Sequence, residues 1–172
     1  MKLRKIYAVI ALLSVISCIK ERPSGQELVV GDLIPEFSVT MNDGSIVTAD
    51  DVRQTPSCIM FFHTSCPDCR QTLPVVQAIY EKYSSMGVSF VLISREEDNA
   101  SVSAYWAENQ LTLPYSAQET REVYNLFAQT KVPRIYINAQ GGEIRHIHTD
   151  YPLPDFDILD AQISAVCDTD KE

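Results

Sequence analysis

Positive charge is what this chain is short of. Its 172 residues hold 14 Lys and Arg against 23 Asp and Glu, a formal charge of −9. An acidic surface repels phosphate backbones, so composition gives no support to a role on nucleic acid. Long apolar runs are scarce as well: the sustained stretch at residues 6 to 16 is too short to span a bilayer comfortably. There is no internal repeat, no low-complexity tract and no second linker, so the chain past residue 26 reads as one domain with a proper core. Zinc spacing is missing too, because one Cys-x-x-Cys supplies two ligands where a structural site needs four. What remains, 45% hydrophobic and 22% charged residues, is ordinary for a soluble globule.

Lys2, Arg4 and Lys5 precede the apolar stretch as a basic leader. Val15-Ile16-Ser17-Cys18 then resembles a bacterial lipoprotein cleavage site, with a small residue ahead of the cysteine to be lipidated. Ile16 is bulkier than is usual there, and an ordinary secretory signal with an incidental cysteine is the competing reading. The expectation is a lipoprotein-type signal peptide over 1–17, Cys18 as the lipidated residue, a polar tether over 18–26 and a folded domain over 27–170. Cleavage leaves 11 cations against 23 acids, or −12. The expected location is the bacterial cell envelope, with a lipid anchor in the membrane and the domain facing the periplasm or the exterior. In such an oxidising compartment disulfides persist, and a Cys-x-x-Cys pair reads as a dithiol rather than a zinc knuckle.

Within the domain, Phe37, Val39 and Met41 alternate, Asn42-Asp43-Gly44 is a turn, and Ile46-Val47-Thr48 returns as a second strand. Cys58-Ile59-Met60-Phe61-Phe62 is a continuous apolar run, the pattern of a strand covered on both faces. Residues 67 to about 84 read as a helix with Cys69, Leu73, Val76, Tyr80 and Tyr83 on one stripe. Residues 88 to 94 form another buried strand, which completes a β–α–β unit with parallel strands. Helices follow around 100–109 and 120–128, separated by Leu111-Thr112-Leu113-Pro114. A hairpin of 134–138 and 143–148 comes next, then a last helix from Asp155 with Phe156, Leu159, Ile163 and Val166 facing inward. The sum is an α/β sandwich with a mixed central sheet.

The chemistry concentrates in Phe61-Phe62-His63-Thr64-Ser65-Cys66-Pro67-Asp68-Cys69-Arg70, where the buried strand hands over to the helix. A cysteine at a helix N-terminus faces unpaired N–H groups and the positive end of the dipole, which favour its thiolate. The thiolate is the nucleophile of thiol–disulfide exchange. Pro67 fits the first helical position, where a missing N–H costs nothing. Cys66 is therefore the expected nucleophile. Cys69, one turn further in and on the core-facing stripe, is the expected resolving thiol. Pro74 falls inside the helix, frees the Arg70 carbonyl and kinks the axis.

With these residues in place, the chain resembles the thioredoxin superfamily, and within it the envelope-tethered TlpA-like branch, which adds an N-terminal hairpin. The resemblance covers roughly residues 28 to 167. It rests on the opening Gly31-Asp32-x-x-Pro35-x-Phe37, on Cys66-Pro67-Asp68-Cys69 after an aromatic-rich strand, and on Pro74 eight residues past Cys66. Val132-Pro133, opening a strand that continues through Ile135-Tyr136-Ile137 to Gly142-Glu143-Ile144, is the fourth feature. The resemblance implies a thioredoxin-like three-layer sandwich with a central mixed sheet, helices on both faces and the added hairpin. It implies a monomeric thiol–disulfide oxidoreductase without a cofactor, acting on protein disulfides and served by an electron donor in the membrane or envelope. It also implies that Pro133 is cis against the motif and that the Val132 backbone pairs with an extended substrate strand. An ordinary trans proline at a strand start is the competing reading.

Departures from the family pattern bear on direction. Many relatives have Trp before the first cysteine, where this chain has Ser65. The acidic residue that helps deprotonate the resolving thiol aligns with Met60, and the glutamate of some tethered relatives aligns with Thr72. Asp68 is the remaining candidate acceptor, and its charge also opposes a thiolate at Cys66. That favours a reductase or weakly reducing exchanger over a strong oxidant. His63, three residues before Cys66, is a candidate to tune it, since a charged imidazole stabilises a thiolate. In the implied topology Cys58 and Cys167 fall at the end away from the motif, as packed thiols or, alternatively, as a disulfide. His146 and His148 read as a solvated edge strand, Tyr105 and Trp106 as core on an inserted helix, and no metal site is expected.

Two other functions compete. A peroxiredoxin-like peroxidase shares the Gly31-Asp32-x-x-Pro35 opening but needs Thr or Ser three residues before its cysteine, with Pro before that; here the position is His63. A non-enzymatic metal-binding lipoprotein on a thioredoxin scaffold is the other, since fold alone does not fix function.

Overall fold

The structure, a computed structural model, describes residues 26–168, so the expected signal peptide, Cys18 and nearly all of the expected tether lie outside the described residues. The N-terminal hairpin forms as the alternation requires. Strand β1 (Ser38–Thr40) pairs antiparallel with β2 (Ile46–Thr48), with Phe37, Val39 and Met41 turned into the core. A short helix absent from the sequence reading, α1 (Ala49–Arg53), follows at once. Five residues are too few to show a helical period. Thr48 and Asp51 cap it reciprocally, each side chain taking the other's backbone N–H.

The main sheet has five strands in the order β5-β4-β3-β6-β7. Every residue of central strand β3 (Ser57–Phe62) is buried. It runs parallel to β4 (Ser89–Ser94), to which α2 (Pro67–Tyr83) connects it. On its other side it runs antiparallel to β6 (Arg134–Asn138), which pairs antiparallel with β7 (Ile144–His148). Two-residue β5 (Tyr115–Ser116), also missed by the sequence reading, lies parallel to β4 at the far edge. Asn42 exchanges hydrogen bonds with Tyr115 and so ties the N-terminal hairpin to that edge.

Alternation along β3 sends its aromatic side chains to opposite faces. Phe61 meets Tyr124 and Phe127 of α4 (Glu122–Phe127), and Phe127 in turn meets Phe37. Phe62 meets Trp106 of α3 (Asn99–Glu108), whose indole N–H donates to the Leu113 carbonyl at 2.9 Å, so Trp106 is core as expected. Arg70 of α2 lies over Tyr105 of α3, and Tyr83 of α2 donates to Asp160 of α5 (Phe156–Asp168). Helices α2, α3 and α5 thus cover one face, with α4 and the N-terminal segment on the other: the thioredoxin-like three-layer arrangement.

Three expectations need correction. The buried stripe of α2 is wider than read, since Thr72, Gln77 and Ile79 join Cys69, Leu73, Val76 and Tyr83 while Tyr80 is half-buried. Gln77 is drawn in by hydrogen bonds to Thr112 and Leu113. Phe156, expected inward with Leu159, Ile163 and Val166, is 36% exposed. The first turn of α5 sits beside the end of α2, where the Lys82 ammonium covers the Phe156 ring. His146 and His148 are half-buried rather than solvated, His148 sharing a 2.7 Å hydrogen bond with Gln162 of α5. Burial foremost, then the charges of His148 and Arg145, lowers His146 below its ordinary value.

Candidate active site

Beyond Phe62 the chain passes His63, Thr64 and Ser65 and enters α2 at Cys66. Cys66 has extended backbone (φ −76°, ψ 121°) at the N-cap, and Pro67 occupies the first turn. The turn closes through Cys66 N–H to the His63 carbonyl and Arg70 N–H to the Cys66 carbonyl, each at 3.0 Å. Cys66 makes no side-chain capping bond, so its sulfur remains available at the helix mouth. It is half-buried, and its thiol donates to the Val132 carbonyl at 3.4 Å, across 66 residues of sequence. Cys69 is fully buried behind it, and neither cysteine is in a disulfide.

The two sulfurs sit in different electrostatic settings. Burial above all pushes the Cys69 thiol far above the ordinary cysteine value. A hydrogen bond from the His63 backbone opposes this, while Cys66 and the Asp68 charge add to it. Asp68 therefore makes Cys69 harder to ionise from where it stands in the first turn. Of the positions aligned with the family's acidic residues, Met60 is buried in β3 and Thr72 donates to the Asp68 carbonyl at 2.8 Å.

The second wall of the site comes from the segment leading into β6. The Val132–Pro133 peptide is cis, Lys131 before it has φ +66°, and Tyr124 donates to the Lys131 carbonyl at 2.6 Å. Asp150, past β7, holds the Lys131 ammonium at 3.0 Å. The structure so brings Cys66, Pro67, Cys69 and Val132-Pro133 together. His63 is adjacent, but among the described residues its ring partners are Ser65, at 3.0 and 3.1 Å, and Glu97, at 3.7 Å.

Glu97 is the residue the sequence reading missed. It is buried in the turn between β4 and α3 and accepts from the backbone N–H of Thr64 at 3.0 Å and from the Thr64 hydroxyl. The run Glu96-Glu97-Asp98 carries no periodic signal that distinguishes the inward member. At the other end of the sheet Cys58 is a buried thiol without a disulfide, pushed up to about 12 by burial, so no Cys58–Cys167 bridge exists. Among the described residues no cluster of three or more His, Cys, Asp or Glu is placed to hold a metal ion.

A half-buried cysteine at a helix N-cap, a buried partner one turn in, and a strand-leading carbonyl facing the first sulfur define a thioredoxin-like dithiol protein. The chain belongs to the AhpC/TSA family, whose family model matches residues 30–147. It is 29% identical over 122 residues to the thiol-disulfide oxidoreductase ResA of Oceanobacillus iheyensis, covering 69% of this chain and 64% of that relative's length. In fold it is similar to a thioredoxin-family thiol:disulfide interchange protein from Chlorobium tepidum, with a TM-score of 0.70 at 20% identity, covering 83% of this chain and 99% of that one. A secreted Mycobacterium tuberculosis disulfide oxidoreductase, homologous to Escherichia coli DsbE, superposes with a TM-score of 0.67 at 15% identity over 75% of this chain and 95% of that one.

Proposed function

We propose that the protein is an exported, lipid-anchored thiol–disulfide oxidoreductase that reduces or exchanges disulfides of other proteins through Cys66 and Cys69. The observation that carries this reading is the asymmetry of the pair: an accessible sulfur at the helix mouth and a buried one behind it. The Cys66 thiolate attacks one sulfur of a substrate cystine. A Cys66–substrate disulfide forms, and the other substrate sulfur leaves as a thiolate that takes up a proton. Cys69 then loses its proton and attacks Cys66 Sγ. The second substrate sulfur departs, and a Cys66–Cys69 disulfide remains. Two electrons have passed to the substrate, and a donor in the membrane or envelope must return them.

Burial raises the Cys69 thiol, so the second step requires that its proton be removed before it attacks. The Val132 carbonyl beside Cys66 Sγ supports an extended substrate strand running past that backbone. The basic leader, the apolar stretch and Cys18 support export and anchoring, and the secreted relative is consistent with them. The protein acts as a monomer in this reading.

Dithiothreitol-driven insulin reduction tests the activity, and the Cys66→Ser variant is expected to have none. Cys69→Ser, expressed in cells, is expected to accumulate mixed disulfides with its substrates. A well-folded, exported protein that neither reduces insulin nor captures a partner would overturn the reading. The family match also makes peroxide a second substrate class to assay. His63 stands where that chemistry needs Thr or Ser, so hydrogen peroxide consumption is expected to be negligible.

A further inference from the structure

Glu96 and Glu97 are adjacent in sequence, and the fold sends them in opposite directions. Glu96 adopts φ +61°, a left-handed conformation that a residue with a β-carbon takes only at a cost. Its carboxylate turns outward between Arg95 and Arg121. Glu97 turns inward, its side chain 6% exposed. The backbone at Glu97 is held from both sides, its N–H donating to the Gln118 carbonyl at 2.9 Å and its carbonyl accepting from the Ser94 hydroxyl at 3.4 Å. A carboxylate taken out of water is costly unless hydrogen bonds replace the lost solvation. Here they come from one place: Thr64 gives its N–H and its hydroxyl, and the His63 ring lies 3.7 Å away.

Thr64 is gripped from the opposite side too. The Arg70 side chain, rising from α2, donates to its carbonyl at 2.6 Å while its guanidinium lies over Tyr105. All three polar groups of Thr64 are thus committed, two to Glu97 and one to Arg70. Cys66 stands two residues further along, half-buried, with no side-chain cap of its own to hold it at the helix mouth. From this geometry we infer that Glu97 is a positioning residue for the dithiol: it anchors Thr64, and through Thr64 it sets where Cys66 Sγ stands relative to the Val132 carbonyl and to an incoming disulfide. This inference rests on the proposed exchange activity of Cys66.

The test compares Glu97→Gln with Glu97→Ala in the folded protein, with urea unfolding measured alongside. The amide oxygen of Gln still accepts the Thr64 N–H; Ala removes both bonds. Glu97→Ala is expected to slow Cys66 alkylation and insulin reduction about tenfold or more, since small misplacements of a reacting atom are costly. Glu97→Gln is expected to restore most of both rates. Thr64→Val and Thr64→Ser give a second pair if Glu97→Ala does not fold: Val is expected to slow both rates, and Ser, which keeps the hydroxyl, to preserve them. A residue serving stability alone would lower the unfolding midpoint and leave the rates of the folded protein unchanged. Wild-type rates in folded Glu97→Ala or Thr64→Val, or equal losses in Glu97→Ala and Glu97→Gln, would overturn the inference. Failure of the wild-type protein on insulin would sink the proposed activity instead, while the alkylation comparison still decides the role of Glu97.

Discussion

Burial sorts the cysteines by what they can do in the folded protein. Iodoacetamide offered near neutral pH is expected to modify Cys66 and to leave Cys58 and Cys69 untouched, because burial pushes both of their thiols up. Raising the pH toward the ordinary cysteine range is expected to change little for Cys58, whose thiol burial pushes up to about 12. Unfolding in guanidinium should release both at once, and intact mass before and after denaturation reads the difference. A folded protein that takes label at Cys69 as readily as at Cys66 would contradict the asymmetry on which the proposed mechanism depends. At this scale the placement of Cys66-Pro67-Asp68-Cys69 at a helix mouth was legible, because it follows from local rules about helix ends. Glu97 was not legible. Nothing in Glu96-Glu97-Asp98 says which carboxylate turns inward, and that is decided by a left-handed backbone at Glu96 and by Thr64 waiting across the turn.

The N-terminal hairpin and helices α3 and α4 emerged close to where they were read, as did the longer elements that carry a period or an unbroken apolar run: β3, α2, β4, the β6–β7 hairpin and α5. Helix α1 and strand β5 were invisible because five and two residues carry no period. Helix α1 is held by its cap, and Thr48→Ala is expected to cost about 1 kcal/mol in urea unfolding, the usual value of an N-cap side chain. The hairpin turn shows a tighter constraint. Gly142 has φ +84°, and a β-carbon there would stand 2.7 Å from Arg53 Cγ and 3.0 Å from Ile34 Cγ1. Arg53 cannot readily yield, since its guanidinium bonds the Ile34 carbonyl at 2.7 Å and pairs with Glu36 and Asp50. Gly142→Ala is therefore expected to destabilise by about 2 kcal/mol from strain and crowding together. The same change at Gly141, whose added β-carbon meets nothing within 4 Å, should cost less.

Across the molecule, the N-terminal segment is tied to the start of β6. Glu27 accepts from Arg134 at 2.8 and 2.9 Å, and the Arg134 side chain is only 8% exposed. Burial works to raise the Glu27 carboxyl, but the Gln129 amide and Arg134 outweigh it and hold it below the usual value of 4.5. A carboxylate lowered on folding contributes stability that is fully present above its unfolded value and is lost as pH falls through the folded one. Glu27→Gln is thus expected to lower stability by about 1–2 kcal/mol near neutral pH, a modest figure because Glu27 is itself a third exposed. The gap to the wild type should close as the pH drops below 4.5, which urea titrations at a series of pH values would show. A gap that stayed constant with pH would assign the effect to packing instead. What the sequence alone determined was local: a strand buried on both faces, a helix opened by Cys66 and Pro67, a second cysteine buried one turn in. Those depend on backbone geometry and on which neighbours repeat along a face. Only the tertiary structure brought the Val132 carbonyl to Cys66 and a buried carboxylate to Thr64. Such contacts cross dozens of residues and are set by sheet register and by the turn between β4 and α3, and no local pattern of residues encodes them.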